Sequence, residues 1–405
     1  MSTKNKKSVL LLTQYFLPDI TAASFRMNDL YSALKEEGWD VTVVTTLPHK
    51  SNVKIEKNTD KNIHRIEVKK VIKKNFFSYL QNYFGFMFSS KKYVNKYLKN
   101  QKYDYVVVSS PPIFVALTGY WLSKRKNANF ILDIRDLWPD SVVSTGFLKK
   151  ESLIYKFSKH LEKFLYNKAT YITCVSKMMK EEITQSLKND NVSIVYNGVS
   201  DKEKHEVLKN NEFIKQDQNS NRVNITYTGN IGLVQGLDIL IEAFEKMNDK
   251  ERKKYQLNII GDGVEKEKLE SRVKESGLEE EIVFWGSLPK EEALKKSMYA
   301  DLLFLNLIQD ETLEKTIPSK LFDYLLLNKP ILSSIKGEGN QILEKLGCYI
   351  SFDSKDATTL ISALDYYEQN KELLEKRAQG NFSFVLNNFN RKEQFKNFFQ
   401  KIDIK

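Results

Sequence analysis

The chain has 405 residues, of which 41% are hydrophobic and 12% aromatic; this indicates a globular protein too long for one hydrophobic core, so we expect two domains. Its net charge of +11 is uneven, because residues 1–200 carry 32 Lys and Arg against 17 Asp and Glu, and only this half predicts an anionic partner. Cys174 and Cys348 lie too far apart in sequence for a metal or redox motif, which fits a reducing compartment.

No secretion signal is evident, because the apolar run Val9–Leu12 stops at Thr13. The uncharged run Tyr105–Ser123 is nearly long enough to span a bilayer, but Pro111 lies inside it and would break a spanning helix. A strand, a loop and a helix are the better prediction for this run. We therefore expect a cytoplasmic protein without transmembrane segments.

The first elements predict a parallel sheet. Strands are predicted at Ser8–Thr13 and Asp40–Thr45, with a helix at Ser24–Glu37 that ends at Gly38. This βαβ order is typical of an α/β fold. The turn at residues 14–23 has no glycine, so a nicotinamide dehydrogenase is disfavoured.

A basic, aromatic region follows. Residues 75–90 are uncharged, and lysines flank them on both sides. The rings in this segment are Phe76, Phe77, Tyr79, Tyr83, Phe84, Phe86 and Phe88. Such a segment suits an interfacial membrane surface, and it equally suits helices packed on the sheet with solvated lysines. Nucleic acid could use the same charge, but no recognised binding motif accompanies it.

Charged residues follow the predicted strand Phe130–Leu132 directly, in the segment Asp133–Asp140. The carboxyl ends of parallel strands are where open α/β sheets bind ligands. The structural alternative is an ion pair of Arg135 with Asp133 or Asp136. An amphipathic helix is predicted at Tyr155–Asn167, and strands at 171–175 and 192–196 complete the domain, which ends near Asn197.

Residues 201–222 are polar and without a clear period, and we interpret them as a linker. Three strands then each lead into a glycine turn. The strand–turn pairs are 224–228 with 229–236, 257–260 with 261–263, and 282–285 with 286–289. Glycines let the backbone approach a ligand closely, and parallel strands bring the turns to one edge.

The segment Thr316–Ser333 predicts a helix from Lys320, with Ser319 as its N-cap, followed by a buried strand. A helix N-terminus with a lysine in its first turn makes an anion site. Asp323 lies on the same helix face and is placed to accept hydrogen bonds from a ribose diol. The alternative is an ordinary capped helix with solvated charges.

The predicted domains are residues 1–200 and 223–376. A helix is expected at 357–374 after a strand at 348–352. The last segment, 377–405, is predicted as a helix that packs back on the first domain.

These motifs resemble those of the retaining glycosyltransferases of family 4. The resemblance rests on the stretches Pro18–Arg26, Asp133–Asp140, Asn197–Val199, Tyr227–Asp238, Gly261–Gly263 and Pro318–Tyr324. It implies an α/β fold of two Rossmann-like domains facing across a cleft (the GT-B architecture). It also implies a UDP-sugar donor in the second domain and a lipid-linked acceptor in the first. The chain is most similar to the UDP-N-acetyl-L-fucosamine transferases of bacterial capsule and O-antigen synthesis.

The resemblance assigns the donor site to the second domain. Its candidate residues are Gly229, Asn230, Gly232, Gln235, Gly261, Gly263, Leu288, Ser319, Lys320, Leu321 and Asp323. Asp323 matches the second glutamate of the family's Glu-x7-Glu motif, and Lys315 takes the place of the first. Asn230 and Gln235 replace the family's phosphate-binding Arg and Lys, so Lys320 is the candidate cation.

The candidate acceptor-binding residues are Ser24, Arg26, Arg135, Asp136 and Asn197. We assign Asp136 as the general base or stabiliser of the oxocarbenium-like centre, and Lys320 as the stabiliser of departing UDP. The chain contains no Asp-x-Asp, so we predict no metal and no cofactor. Retention of anomeric configuration is implied by the family. The enzyme is expected at the inner face of the bacterial membrane.

Two other functions fit the sequence. A UDP-sugar 2-epimerase shares the two-domain architecture and would form an epimer from the donor alone. A non-catalytic protein could bind polyanions or membrane through the basic half, and would release no UDP.

Overall fold

A computed structural model describes residues 6–48, 60–68, 76–111, 113–187, 191–210 and 222–403. The chain divides into two compact units. Unit 1 is Met1–Asn197 with Arg391–Lys405, and unit 2 is Gly198–Asn390. Within the described residues, every helix is too short or too polar to cross a bilayer.

Unit 1 contains a parallel sheet in the order β3-β2-β1-β4-β5-β6-β7. Its strands are β1 (Ser8–Leu12), β2 (Asp40–Thr46), β3 (Ile63–Ile66), β4 (Tyr105–Ser110), β5 (Asn129–Ile134), β6 (Tyr171–Cys174) and β7 (Val192–Ile194). Its first helices are α1 (Ala22–Glu36), α2 (Phe76–Tyr97), α3 (Phe114–Lys126), α4 (Asp140–Ser144), α5 (Leu153–Lys168) and α6 (Lys177–Gln185). The run Tyr105–Ser123 is therefore a strand, a loop and a helix, as predicted.

Unit 2 contains a second parallel sheet in the order β10-β9-β8-β11-β12-β13. The strands are β8 (Val223–Thr228), β9 (Tyr255–Ile260), β10 (Ile282–Gly286), β11 (Leu302–Leu305), β12 (Ile331–Ser333) and β13 (Tyr349–Ser351). The helices are α7 (Asp201–Asn210), α8 (Asp238–Lys246), α9 (Asp249–Arg252), α10 (Lys266–Glu275), α11 (Lys290–Met298), α12 (Glu311–Glu314), α13 (Ser319–Leu326), α14 (Gly337–Leu346), α15 (Ala357–Ala378) and α16 (Asn381–Phe389). Helix α17 (Arg391–Asp403) belongs to unit 1. The two sheets confirm the predicted pair of Rossmann-like domains.

The sheet of unit 1 has a hydrophobic core on each face, which explains its almost continuously apolar strands. Leu10 and Leu12 lie in one core, with residues from α2, α3 and α5. Val9 and Leu11 lie in the other, with residues from α1 and α17. Successive side chains of a strand point to opposite faces, so one strand supplies both cores.

Two predicted boundaries are corrected. Residues 201–210 of the predicted linker form α7, and the buried Glu203 of this helix takes part in hydrogen bonds and an ion pair within unit 2. The predicted final helix is three elements: the end of α15, then α16, then α17. Of these only α17 belongs to unit 1, where Phe395 and Phe399 are buried in the core.

The aromatic segment of α2 is partly core. Phe86 is fully buried with Met87, whereas Phe84 and Phe88 are 36% and 63% exposed. Phe86 therefore belongs to the packed-helix alternative, and its predicted role in membrane binding is wrong. The side chains of Phe76, Phe77 and Tyr79 lie outside the described residues, as do Lys69–Asn75.

Candidate active site

The glycine turns of unit 2 lie against one another at the carboxyl edge of its sheet. The Gly229 amide donates to the Ile260 carbonyl, and the Gly261 amide donates to the Gly286 carbonyl. A Cβ at Gly261 would lie 1.8 Å from the Gly229 oxygen, and one at Gly263 would lie 2.0 Å from the Ile231 oxygen. The sequence needs glycine at these two positions because the turns touch backbone to backbone. Their predicted contact with a ligand stays a prediction.

Lys320 lies in the first turn of α13 and reaches the turn after β8. Its Nζ donates to the Tyr227 hydroxyl at 2.5 Å and lies 3.8 Å from the centre of that ring. The Tyr227 hydroxyl in turn donates to the Asn230 carbonyl at 2.5 Å. A Cβ at Gly229 would lie 3.1 Å from Nζ. The structure thus brings together the predicted cation and the predicted glycine turn.

Burial changes the protonation of this pair. It lowers the pKa of Lys320 to about 7, because desolvation outweighs the opposing attraction of Asp323. It raises the pKa of Tyr227 well above its ordinary value, so this side chain stays a neutral phenol. An anion bound next to Nζ would replace the lost solvation and favour the charged lysine.

Tyr324, to which the sequence analysis gave no role, fixes the position of α13. Its hydroxyl accepts a hydrogen bond from the Thr228 amide at 3.0 Å and donates to the Phe304 carbonyl at 3.1 Å. It thereby joins α13 to the ends of β8 and β11, where the strand order of the sheet reverses. The only local signal is its spacing of four residues from Lys320, which puts both on one helix face.

The neutral residues Asn230 and Gln235 shape the turn after β8. The Gln235 Oε1 accepts hydrogen bonds from the Gly232 amide at 3.1 Å and from the Asn230 Nδ2 at 3.2 Å. Gly236 closes the turn with a φ of 53°. The carbonyls of Gln235 and Gly236 both accept from the Asn306 side chain at 2.9 Å. In this structure the two predicted phosphate-binding positions therefore hold the loop together.

The N-terminus of α13 differs from the prediction. Pro318 is the N-cap and Ser319 is the first helical residue, so the predicted capping role of Ser319 is wrong. Leu321 is fully buried, and its amide donates to the Pro318 carbonyl at 3.0 Å. The Leu321 side chain is therefore part of the core, and its predicted contact with the UDP-sugar stays a prediction. An anion at this helix end would be held by Ser319 and Lys320.

Asp323 forms an ion pair that the sequence analysis did not foresee. Lys290 Nζ, on α11, lies 3.1 Å from the Asp323 carboxylate and also pairs with Glu203 on α7. Glu203 is buried, and its backbone and side chain form a capping box with Ser200. Asp323 keeps 20% of its side chain exposed. The proposed ribose contact would use a carboxylate oriented by Lys290.

A hollow lies beside α13 in unit 2. It is lined by residues from the loops after β11 and β12 and by Leu313, Glu314, Thr316 and Pro318. Glu314 lines this hollow, whereas Lys315 is the C-cap of α12.

Leu288 follows β10 and is half-buried. Its predicted contact with the base stays a prediction.

In unit 1, two predicted acceptor contacts are wrong. Arg26 is fully buried and pairs with Asp133 at 2.7 Å, and its Nη1 donates to the Tyr196 carbonyl. Ser24 is also fully buried and forms a capping box with Thr21 at the start of α1. Both side chains are used to hold the fold, so neither can reach an acceptor.

Arg135 and Asp136 lie at the carboxyl end of β5. Arg135 donates to the Ser109 hydroxyl at 3.0 Å and to the Pro111 carbonyl at 2.8 Å, which ties β5 to the loop after β4. Asp136 is half-buried, and desolvation raises its pKa although Arg135 opposes the shift. A carboxyl with a raised pKa is a stronger base once ionised. The Asn197 carbonyl accepts from Arg391 on α17.

Across the described parts of both units, no group of three or more His, Cys, Asp or Glu could hold a metal ion. That no metal is needed stays a prediction.

Comparisons with known proteins identify the family. Residues 24–203 match the family described as Glycosyltransferase Family 4, and residues 209–382 match Glycosyl transferases group 1. The probable glycosyltransferase WbjE of Pseudomonas aeruginosa is 24% identical over 270 residues, which span 65% of each chain. Among solved structures, sucrose-phosphate synthase of Thermosynechococcus elongatus has a TM-score of 0.77 at 15% identity, covering 98% of both chains. Anabaena HepE in complex with UDP-glucose has a TM-score of 0.69 at 12% identity, covering 98% of this chain and all of that one. The chain therefore belongs to the glycosyltransferases built from two Rossmann-like domains, with a family 4 first half and a group 1 second half.

Proposed function

We propose that this glycosyltransferase transfers an N-acetylated deoxyhexosamine, such as N-acetyl-L-fucosamine, from a UDP-sugar to a lipid-linked saccharide, with retention of configuration. The second unit would bind the donor and the first the acceptor. The product would serve capsule or O-antigen synthesis.

The observation that carries the donor proposal is the position of Lys320. Its ammonium lies beside the Gly229 turn, and Lys320 itself is in the first turn of α13. The cation and the backbone N–H groups of this helix N-terminus therefore lie close together. When the bond from the sugar to UDP breaks, negative charge develops on the diphosphate. Preorganised donors stabilise that charge in the transition state. The UDP-glucose complex of HepE, a protein of the same fold, is consistent with this donor class.

Asp136 supports the acceptor half of the proposal. Its carboxyl lies at the ligand-binding edge of the first sheet, and its desolvation gives a pKa above the ordinary range. We infer that it takes the proton of the acceptor hydroxyl as the new glycosidic bond forms. Arg135 lies next to it and holds the loop in place.

A lipid-linked acceptor keeps its tail in the bilayer. The excess of lysine in residues 1–200 would attract the anionic inner leaflet of the bacterial membrane. We therefore propose a peripheral enzyme at that surface.

The test is to measure UDP release from a panel of UDP-sugars with a lipid-linked saccharide acceptor. We expect release with N-acetylated deoxyhexosamine donors, and only when the acceptor is present. Acceptor-independent formation of an epimer would instead identify a UDP-sugar 2-epimerase. Turnover with glucose or galactose donors alone would overturn the proposed donor.

A further inference from the structure

Helix α5 has a second apolar face that points to solvent. Leu153 is 82% exposed, Phe157 is 64% exposed and Phe164 is 38% exposed. Their spacing of 4 and 7 residues puts them on one side of a helix with 3.6 residues per turn. His160, also exposed, lies between them on the same side.

This face does not serve the core of unit 1. The core side of α5 is formed by Ser158, Leu161, Leu165 and Tyr166, all of which are buried. A surface helix normally carries polar residues on the side away from its core. Leu153 and Phe157 are open to water, whereas the Phe164 ring packs edge-on against Tyr120 of α3.

Two more exposed apolar residues lie close to the helix stripe in the sequence. Phe147, in the segment before α5, is 48% exposed, and Ile154 in the first turn is 45% exposed. We use the name α5 surface for these two residues with Leu153 and Phe157, all four of which are exposed. Large apolar side chains that are exposed singly are normal, but Leu153, Ile154 and Phe157 are all exposed in the first five residues of one helix, which is typical of an interaction site.

The segment that carries the α5 surface is rich in lysine, and Glu151 is its exposed carboxylate. Residues 146–168 contain six lysines and two glutamates. Glu162 is buried and bound to Lys159 and Tyr166, so it adds little negative charge to the exterior. The exposed lysines of this segment are Lys149, Lys150, Lys156, Lys163 and Lys168.

This combination favours one partner. Exposed leucine and phenylalanine bordered by lysines are typical of helices that lie in the interface of an anionic bilayer. The apolar side chains enter the headgroup region, while ammonium groups contact lipid phosphates. A nucleic acid would leave Leu153 and Ile154 without a favourable environment.

We propose that the α5 surface docks unit 1 onto an anionic lipid bilayer. The proposal deepens the proposed function, since it identifies the face that brings the enzyme to a lipid-linked acceptor. It also moves the docking site away from α2, whose Phe86 is core. Vesicle binding needs neither donor nor turnover, so an error in the donor or acceptor leaves this test unaffected.

The experiment compares flotation of the full chain with vesicles of phosphatidylcholine alone and of phosphatidylcholine with phosphatidylglycerol. We expect binding only with phosphatidylglycerol, and a fraction that resists high salt because burial of apolar side chains is not screened. The double variant L153S/F157S should lose the salt-resistant fraction and bind at least tenfold more weakly. Both side chains are exposed, so we expect an unchanged circular dichroism spectrum and thermal midpoint.

Three further variants separate the outcomes. F88S removes an equally exposed ring from α2 and should bind as the wild type. K156Q/K163Q should weaken the salt-sensitive part alone. The tryptophan fluorescence of F157W should shift to shorter wavelength on binding, which would report that position 157 enters the interface of the bilayer.

The proposal is overturned if the wild type ignores anionic vesicles, if L153S/F157S binds as tightly as the wild type, or if high salt releases all bound protein. Loss of binding in F88S with retention in L153S/F157S would place the docking face on α2 instead.

Discussion

The Nζ of Lys320 lies 2.5 Å from the Tyr227 hydroxyl and 3.8 Å from the centre of its ring. This contact joins the first turn of α13 to the strand that precedes the Gly229 turn. In the proposed function, a diphosphate bound beside this ammonium would also contact the backbone of the Gly229 turn and of the first turn of α13. Burial lowers the pKa of this lysine to about 7, because its ammonium loses contact with water, and the nearby Asp323 only partly opposes the shift.

Replacement of Lys320 by alanine should slow sugar transfer. If the ammonium stabilises departing UDP as other preorganised donors do, the loss is about 2–4 kcal/mol of transition-state stabilisation. The ratio of kcat/KM for the UDP-sugar between the wild type and the variant measures this loss. Lys274→Ala, at an exposed lysine of α10, is the matched control and should be neutral. A Lys320→Ala enzyme that is folded and fully active would remove this residue from the site.

UDP affinity should fall as pH rises above about 7. The lysine has a pKa of about 7 in the free protein, and bound diphosphate raises it, so binding above this pH takes up a proton. The terminal phosphate of UDP, with a pKa near 6, is already ionised in this range. Calorimetry in buffers of different ionisation enthalpy measures the uptake. In Lys320→Met both the uptake and the slope of affinity with pH should vanish; if they persist, another group is responsible.

Asp323→Asn should weaken UDP binding, because an amide is a poorer acceptor for a ribose diol than a carboxylate. Binding of uracil alone should not change. Unchanged affinity for UDP by calorimetry would contradict the proposed ribose contact.

Lys290→Met should destabilise unit 2. It leaves the buried Glu203 and the neighbouring Asp323 without their shared cation. Because Lys290 is 22% exposed, we expect about 1–3 kcal/mol, less than for a fully buried pair. Lys202→Met is the matched control, since Lys202 pairs with Glu291 between the same two helices but is 73% exposed. Urea unfolding should show little change for the control. Equal stability of the two variants would show that the buried network contributes nothing.

Asp136→Asn should lower kcat by about 100-fold to 10,000-fold, the range for loss of a general base. UDP affinity should stay the same, because the donor is assigned to the other unit. Transfer at the wild-type rate would assign the proton to another group.

Activity should survive chelation, because in the proposed site Lys320 and the N–H groups of the α13 N-terminus would supply the positive charge for the diphosphate. Turnover in EDTA is the measurement. Loss of activity that magnesium or manganese restores would contradict this prediction.

Local patterns in the sequence predicted the two parallel sheets, the glycine turns and the helix that carries Lys320. Apolar runs, turn glycines and helix spacing act over a few residues, so they can be recognised without knowing the fold. The helix α5 was also predicted, but its exposed second stripe was not, because periodicity alone does not say which of two apolar faces a core covers.

The tertiary structure alone decided which charged residues pair when they lie far apart in the sequence. Arg26 and Asp133 are 107 residues apart, whereas the local sequence predicted an ion pair of Arg135 with Asp133 or Asp136. Lys290 reaches Glu203 and Asp323 across separations of 87 and 33 residues. An ion pair depends on where two helices pack and on how far each charge is removed from water, and neither quantity is visible in the order of the residues.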